Sequence, residues 1–240
     1  MLLSVVIPTY NEHDNIAVLL DHLVNELSTI QGAYEVIVVD DASPDGTSVV
    51  VEQYTKNNSA IRLMPRTGKR DLSAALAMGF DGASGEYVAA IDADLQHDPA
   101  LLVSMLAAIE SRKVDLVVAT RYAQGGGIAN WNGMRRALSC CATRLSAYVV
   151  RTRISDPLSG YFIFRKKLWV TIRSQVQLSG FKILLEIISV ARGISSAEIG
   201  YQFIARQRGR SKLDVTAGLA FVFALPHLFL NARKSGEDSF

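Results

Sequence analysis

Cysteine is nearly absent from the 240-residue sequence, and the only two cysteines are neighbours, Cys140 and Cys141. That spacing fits no zinc or redox motif and suits a reducing compartment, with both thiols acting as small buried hydrophobes. No Gly-x-Gly-x-x-Gly follows the first apolar run, which argues against a dinucleotide-binding dehydrogenase. The basic residues are not interleaved with stacking aromatics, so a nucleic-acid partner is not expected. A run of about 20 apolar residues, the length that spans a bilayer, is also missing. The nearest approach, Val215 to Leu230, has 16 residues and includes Thr216, Pro226 and His227. It is expected as an interfacial helix or a packed core helix. No basic, apolar leader precedes the first strand, so no signal peptide is expected. Internal repeats and low-complexity segments are lacking too.

What is present suits one large α/β domain. Hydrophobic residues make up 49% and charged residues 20%, enough for a substantial core. The net charge of +2 conceals a division. Residues 1–110 carry 5 Lys/Arg against 16 Asp/Glu, whereas residues 111–240 carry 20 against 7. An acidic first part suits a cation site, and a basic second part suits phosphates or an anionic membrane face.

Strand and helix signals alternate through the first half. Leu3 to Pro8 reads as a buried strand, Asn15 to Leu27 as an amphipathic helix, and Glu35 to Val39 as a second strand stopped by Asp40-Asp41. Ser43-Pro44-Asp45-Gly46 is turn chemistry, followed by a helix from Thr47 to Tyr54. Ile61 to Met64, Glu86 to Ile91 and Asp115 to Ala119 are further strands. Leu72 to Ala83 is a helix, and Asp98-Pro99 is predicted to open another with a cap and a proline in its first turn. This rhythm predicts a doubly wound, mostly parallel sheet, in which ligands gather beyond the carboxyl ends of the strands. After Arg121 the rhythm loosens: a helix from Trp131 to Val150, a strand from Ser159 to Arg165, a helix from Phe181 to Val190 and a strand from Glu198 to Ala205 are expected.

The chemistry-bearing residues fall at those strand ends. Asp92-Ala93-Asp94 follows the fourth strand, and two carboxylates there can hold a divalent cation that bridges substrate phosphates, with Gln96 adding a neutral oxygen. Asp-x-Asp alone is common in surface loops; its place after a strand gives it meaning. Arg121, Arg135, Arg136, Ser139, Arg206 and Lys212 could bind phosphate through charge-assisted bonds, although any one of them could equally be a solvated surface group. Arg206 to Lys212 packs four cations into seven residues around Gly209. Such a segment reads either as a loop that closes over phosphates or as a solvated basic turn. A phosphomonoester acceptor, largely ionised near neutrality with a second pKa of about 6, needs cations to place it more than a general base.

With these residues in view, the sequence resembles the family 2 glycosyltransferases of GT-A fold, and within them the polyprenol- and dolichol-phosphate mannose synthases. The resemblance runs from about Ser4 to Leu213. It is carried by Val6-Ile7-Pro8-Thr9-Tyr10-Asn11-Glu12, by Val38-Val39-Asp40-Asp41-Ala42-Ser43-Pro44-Asp45-Gly46-Thr47, by Asp92-Ala93-Asp94-Leu95-Gln96-His97-Asp98-Pro99 and by Thr120-Arg121-Tyr122.

The resemblance implies residue roles. Pro8, Tyr10, Glu12, Val39 and Asp41 match positions that hold the guanosine of a GDP-mannose donor. Asp92, Asp94 and Gln96 match ligands of Mg²⁺ or Mn²⁺, with Ala93 lining the donor between them. Arg206 and Lys212 match groups on the donor diphosphate, and Arg121, Arg135 and Ser139 match groups around the lipid phosphate, Arg121 also bordering the donor. Asp94, Arg121 and Arg206 are the residues expected to bear on the transfer itself. The implied product is a polyprenyl or dolichyl phosphate sugar formed with inversion; UDP-glucose or another nucleotide sugar is the alternative donor. Asp156-Pro157-Leu158-Ser159-Gly160 and Phe181 to Glu186 also look like family segments, without assigned chemistry. Two departures stand out. Asp71-Leu72-Ser73 replaces the Gly-Leu-Gly of many relatives, and the paired C-terminal membrane helices of some relatives are lacking. The Gln-x-x-Arg-Trp signature of hydroxyl-directed polysaccharide synthases is missing as well, which disfavours that alternative. A binding module without catalysis is the remaining one. The expected organisation is a transferase domain over 1–212, an apolar membrane-associated helix over 213–232 and a polar tail over 233–240. The expected location is peripheral, on the cytoplasmic face of a membrane, reached through that helix, the basic surface or a membrane-anchoring partner protein.

Overall fold

The computed structural model describes residues 1–123, 126–128, 143–147, 153–178, 182–191 and 193–203. The elements in chain order are β1 (Leu3–Thr9), α1 (His13–Leu27), β2 (Tyr34–Asp40), α2 (Thr47–Asn57), β3 (Ile61–Pro65), α3 (Leu72–Gly82), β4 (Tyr87–Ala90), α4 (Leu101–Ser111) and β5 (Leu116–Thr120). They continue with β6 (Gly127–Ile128), β7 (Phe162–Arg165), α5 (Lys166–Ile172), α6 (Ile183–Val190), β8 (Ser196–Gly200) and β9 (Gln202–Phe203).

A seven-stranded sheet runs in the order β3-β2-β1-β4-β7-β5-β8. All its neighbours are parallel except β7, which lies antiparallel between β4 and β5. Strands β1 and β2 are apolar at almost every position because helices cover both faces, so each side chain meets a packed layer whichever way it points. On one face Val5, Ile7, Val36 and Val38 pack under Ile16, Leu19 and Leu20 of α1, and Met105 and Ile109 of α4 join them. On the other, Val6, Ile37 and Val39 pack under Ala75, Leu76 and Phe80 of α3, joined by Trp169 of α5 and Leu185 of α6. Helix α3 sits close to the sheet because Gly79 has no side chain: a Cβ there would press into Val6 and Val39. The expected α/β, doubly wound, mostly parallel sheet is therefore present.

Two expectations are corrected in detail. The helix predicted to open at Asp98-Pro99 begins at Leu101, after Ala100. Asp98 Oδ1 accepts from the Ala100 backbone N–H at 3.0 Å, and Leu101 and Leu102 donate to the Asp98 and Pro99 carbonyls. The aspartate thus closes a tight turn, and the helix can start only after it. The strand expected from Glu198 divides into β8 and β9. The divide falls where Tyr201 donates its backbone N–H to the Thr120 carbonyl and the chain leaves β5 for β6. The Cys140-Cys141 pair, the helix expected from Trp131 (of which only 143–147 are described, as helix) and everything expected beyond Phe203 lie outside the described residues. Among the described residues, no helix is long and apolar enough to cross a membrane.

Candidate active site

The strand order reverses between β1 and β4: β2 and β3 lie to one side of β1, and β4 leads to the other. Such a switch leaves a crevice beyond the carboxyl ends of the two strands. The loops after β1, β2 and β4 border it, and each contains a non-glycine residue in the left-handed region: Asn11 at φ 55°, Ala42 at φ 55° and Leu95 at φ 59°. A side chain with a Cβ adopts this conformation at a cost, and such residues concentrate where a loop must present particular groups.

On the β1–β2 side, Pro8 and Val39 face each other in register. Asp40 is structural: it accepts from the hydroxyls of Thr9, Ser43 and Ser48 at 2.8, 2.6 and 2.7 Å, tying both loops together. Asp41 is 5% exposed. One of its oxygens pairs with the Arg66 guanidinium, and the other accepts the Asp71 backbone N–H at 2.8 Å. Asp71 also caps α3, its Oδ1 accepting from Ala74 N–H at 2.9 Å. Asp71, part of one of the two departures from the resemblance, is therefore a helix cap whose backbone braces Asp41. The Arg70 guanidinium lies 4.5 Å from the Tyr10 ring centroid, within cation–π range. Glu12 is buried beside α1, accepting from Asn15 Nδ2 at 2.7 Å.

On the β4 side, Asp92, Asp94 and Gln96 are half-buried, with Ala93 buried between them. The turn is held by the Gln96 backbone N–H, which donates to Asp94 Oδ1 at 3.3 Å. Gly160 lies directly against Asp92: a Cβ at residue 160 would collide with the carboxylate and lie 2.9 Å from its Cγ. Two half-exposed carboxylates and an amide oxygen form an all-oxygen donor set, the kind that hard divalent cations take. The residues thus fit Mg²⁺ or Mn²⁺, and Gly160 leaves the room that Asp92 needs to serve. Among the described residues, no group of three or more His, Cys, Asp and Glu forms an all-protein metal cage. A cation here would share its coordination with substrate oxygens.

Sequence reasoning overlooked four residues that complete this side. His97, 5% exposed, stands with Nε2 3.6 Å from Asp92 Oδ2 and Nδ1 2.8 Å from the Tyr201 hydroxyl. Asp156, fully buried, grips Arg121 in a two-pronged pair at 2.8 and 2.9 Å. Burial works against the Arg121 charge, but the Asp156 hydrogen bonds and charge outweigh it, and its pKa lies above the ordinary arginine value. Burial also lifts the Tyr201 hydroxyl far above the usual phenol range; the Arg121 charge opposes this, and Asp156, Asp92 and Asp94 reinforce it. Gly160 is the fourth. The Asp156–Gly160 stretch looked like a family segment in the sequence, but its purpose depends on contacts across the fold. The other such segment ends at Glu186, a buried carboxylate that accepts the Leu178 backbone N–H at 2.8 Å. Arg135, Ser139, Arg206 and Lys212 lie outside the described residues.

Similarity to known proteins identifies the family and the fold. Residues 4–172 match the model of glycosyl transferase family 2. A dolichol-phosphate mannosyltransferase from Pyrococcus furiosus is 35% identical over 240 residues, covering 99% of this chain and 65% of that relative. The chain thus spans just under two thirds of that relative's length. A dolichol-phosphate mannosyltransferase from Mycosarcoma maydis is 34% identical, over 94% of this chain and 78% of the relative. Among solved structures, glucosyl-3-phosphoglycerate synthase from Mycobacterium tuberculosis, in complex with Mn²⁺, UDP and glucosyl-3-phosphoglycerate, superposes with a TM-score of 0.69. Its identity is 17%, over 96% of this chain and 79% of that one. At that identity the likeness speaks for the fold alone. With its sheet, its strand-end carboxylates and these relatives taken together, the chain belongs to glycosyl transferase family 2.

Proposed function

We propose that this glycosyltransferase moves mannose from GDP-mannose onto the phosphate of a dolichyl- or polyprenyl-type lipid, inverting the anomeric centre. The observation that carries the reading is the half-buried Asp92–Asp94 turn at the strand switch, kept open against Gly160. Similarity over 99% and 94% of this chain to two dolichol-phosphate mannosyltransferases supports mannose as the sugar and a lipid phosphate as the acceptor.

In this reading Pro8, Tyr10, Glu12, Val39 and Asp41 form the nucleoside wall, with Ala93 beside the donor. Asp92, Asp94 and Gln96 would hold Mg²⁺ or Mn²⁺, which when bound takes up negative charge on the departing diphosphate; the mycobacterial neighbour of the same fold is itself described in complex with Mn²⁺. Arg206 and Lys212 neutralise the same diphosphate by charge-assisted bonds. Arg135 and Ser139 bind the acceptor phosphate. Arg121 serves both donor and acceptor in this reading, its guanidinium held by Asp156 through two hydrogen bonds. An acceptor phosphate oxygen attacks the anomeric carbon, forming the new C–O bond. The bond to the diphosphate oxygen breaks as GDP departs with the electron pair. The attacking oxygen is already anionic near neutrality, because a phosphomonoester has its second pKa at about 6. No proton need be removed, so the side chains position and neutralise rather than act as a base. The enzyme works at a membrane surface on its cytoplasmic side, where such an acceptor is embedded.

The test incubates purified protein with radiolabelled GDP-mannose, a polyprenyl phosphate and Mg²⁺ or Mn²⁺. Label is expected in the organic phase, and Asp94→Ala is expected to lower the rate at least about a hundredfold, the scale of losing a group that stabilises developing charge. Label passing to a water-soluble oligosaccharide instead, or full activity in Asp94→Ala, would overturn the reading.

A further inference from the structure

His97 is an unusual residue to bury at 5% exposure beside a half-exposed acidic turn. Its ring packs among Tyr161, Tyr201 and Phe203, with centroids at 5.1, 5.5 and 5.5 Å. An aromatic carbocycle would fill that space equally well, so packing alone does not explain an imidazole. Its polar contacts do. The Nε2 edge faces Asp92 Oδ2 at 3.6 Å, and Nδ1 meets the Tyr201 hydroxyl at 2.8 Å. An ionised carboxylate only accepts, so a hydrogen bond to it requires the proton on the facing nitrogen. In the neutral ring the other nitrogen is then an acceptor, and the Tyr201 hydroxyl must donate to it. His97 is thus hydrogen-bonded to Tyr201 on one edge and faces Asp92 on the other, an arrangement in which Tyr201 can fix the ring tautomer. The same Asp92 oxygen is bounded on another side by Gly160, so Oδ2 is confined between a backbone and a ring.

We propose that His97, oriented by Tyr201, is a positioning residue for the cation site: it directs the Asp92 carboxylate so that the turn is preformed for a divalent ion. The proposal rests on the reading of Asp92 and Asp94 as cation ligands. It follows the general pattern in which outer hydrogen bonds to ligating groups fix their direction and tune affinity. The separation of 3.6 Å is just beyond a direct hydrogen bond, and a small rotation of the carboxylate on binding would close it. His97 touches no substrate in this account and acts only through Asp92.

The test is a Mn²⁺ titration followed by electron paramagnetic resonance, with and without GDP, with protein-free Mn–GDP as the blank. Wild type, Asp94→Ala, His97→Phe, His97→Gln and Tyr201→Phe are compared, and thermal melting is recorded for each. His97→Phe keeps the aromatic packing and removes the N–H; its Mn²⁺ affinity is expected to fall about tenfold to a hundredfold, as for other lost outer partners, at an unchanged melting temperature. His97→Gln, which retains an N–H donor, is expected to recover most of the affinity, and Tyr201→Phe to lose part of it. If wild type binds Mn²⁺ and Asp94→Ala does not, yet His97→Phe binds as tightly as wild type, the positioning role is wrong and the cation site stands. Glutamine proving as damaging as phenylalanine would also overturn it. No Mn²⁺ binding by wild type, or undiminished binding by Asp94→Ala, would overturn the site itself and the inference with it.

Discussion

At the scale of single residues, the acidic turn depends on one missing side chain as much as on the carboxylates. Gly160 is where the chain passes Asp92 at a distance that a Cβ would violate, the nearest carbon being Asp92 Cγ at 2.9 Å. Gly160→Ala is therefore expected to rotate the Asp92 carboxylate or displace the 156–160 segment. Displacing a preorganised group by about 1 Å can cost on the order of a hundredfold in rate. Transfer activity should fall on that scale, while far-UV circular dichroism stays that of wild type; unaltered kcat and KM in a folded Gly160→Ala protein would show that Asp92 has room to spare. The carboxylates themselves were legible in the sequence, because Asp92, Asp94 and the Asp40-Asp41 pair stand just beyond apolar runs that could only be strands. Gly160, His97, Asp156 and Tyr201 were not. Their meaning lies in contacts between residues distant in the chain, such as Arg121 with Asp156 and His97 with Tyr201, and a lone glycine or histidine gives no local sign of its partner.

At the scale of elements, the end of the sheet opposite the active site depends on a buried charge. Glu35, 4% exposed at the start of β2, accepts from Ser4 Oγ of β1 at 2.7 Å, from Ser84 N–H before β4 at 2.7 Å and from Arg62 of β3 at 2.9 Å. One carboxylate thus joins three strands and the α3–β4 turn. Burial pushes its pKa up, but the Ser4, Ser84 and Arg62 hydrogen bonds and the Arg62 charge outweigh that, and the net shift is below the ordinary 4.5. A carboxylate lowered in the folded state contributes stability that is fully present above its unfolded pKa and fades as pH falls through the folded one. Urea denaturation should therefore show stability declining below about pH 4.5, the unfolded value of the group. Glu35→Gln should be less stable near neutrality by about 1–3 kcal/mol, the range for hydrogen bonds to a charged group, and should lose less on acidification. Parallel curves for the two proteins from pH 7 to 3 would rule out this role. The elements were readable to different degrees. The β1–α4 alternation is visible because parallel strands buried on both faces are apolar throughout, as in β1 and β2. A strand was expected over Ser159 to Arg165 and is found at Phe162–Arg165, but its antiparallel insertion between β4 and β5 was not expected: apolar pattern marks a strand's existence, whereas its neighbours and direction follow from how the chain returns to the sheet.

At the scale of the whole molecule, the division of charge is the feature that local structure does not explain. The first 110 residues carry a net charge of −11 and build the β3-β2-β1-β4 part of the sheet with the acidic turn; the remaining 130 carry +13. A net charge of this size on part of a chain acts over roughly a Debye length, about 10 Å at 0.1 M salt, so it governs encounter with surfaces more than the fold. The lipid acceptor proposed above would have to be met at a bilayer surface, and basic residues near an anionic leaflet contribute about 1 kcal/mol each. The chain is therefore expected to bind vesicles containing phosphatidylglycerol and to be released as salt is raised, with little binding to phosphatidylcholine alone, as read by vesicle co-sedimentation. The salt dependence separates two modes of attachment. Charge attraction alone weakens steeply between about 0.05 and 0.5 M salt as the Debye length shortens, whereas insertion of the apolar Val215–Leu230 stretch would hold the protein on both vesicle types regardless of salt. Release from anionic vesicles at high salt would assign membrane access to the basic half. Salt-resistant binding to neutral vesicles would assign it to the apolar stretch, and absence of binding to either would require a separate membrane anchor to bring this enzyme to its acceptor.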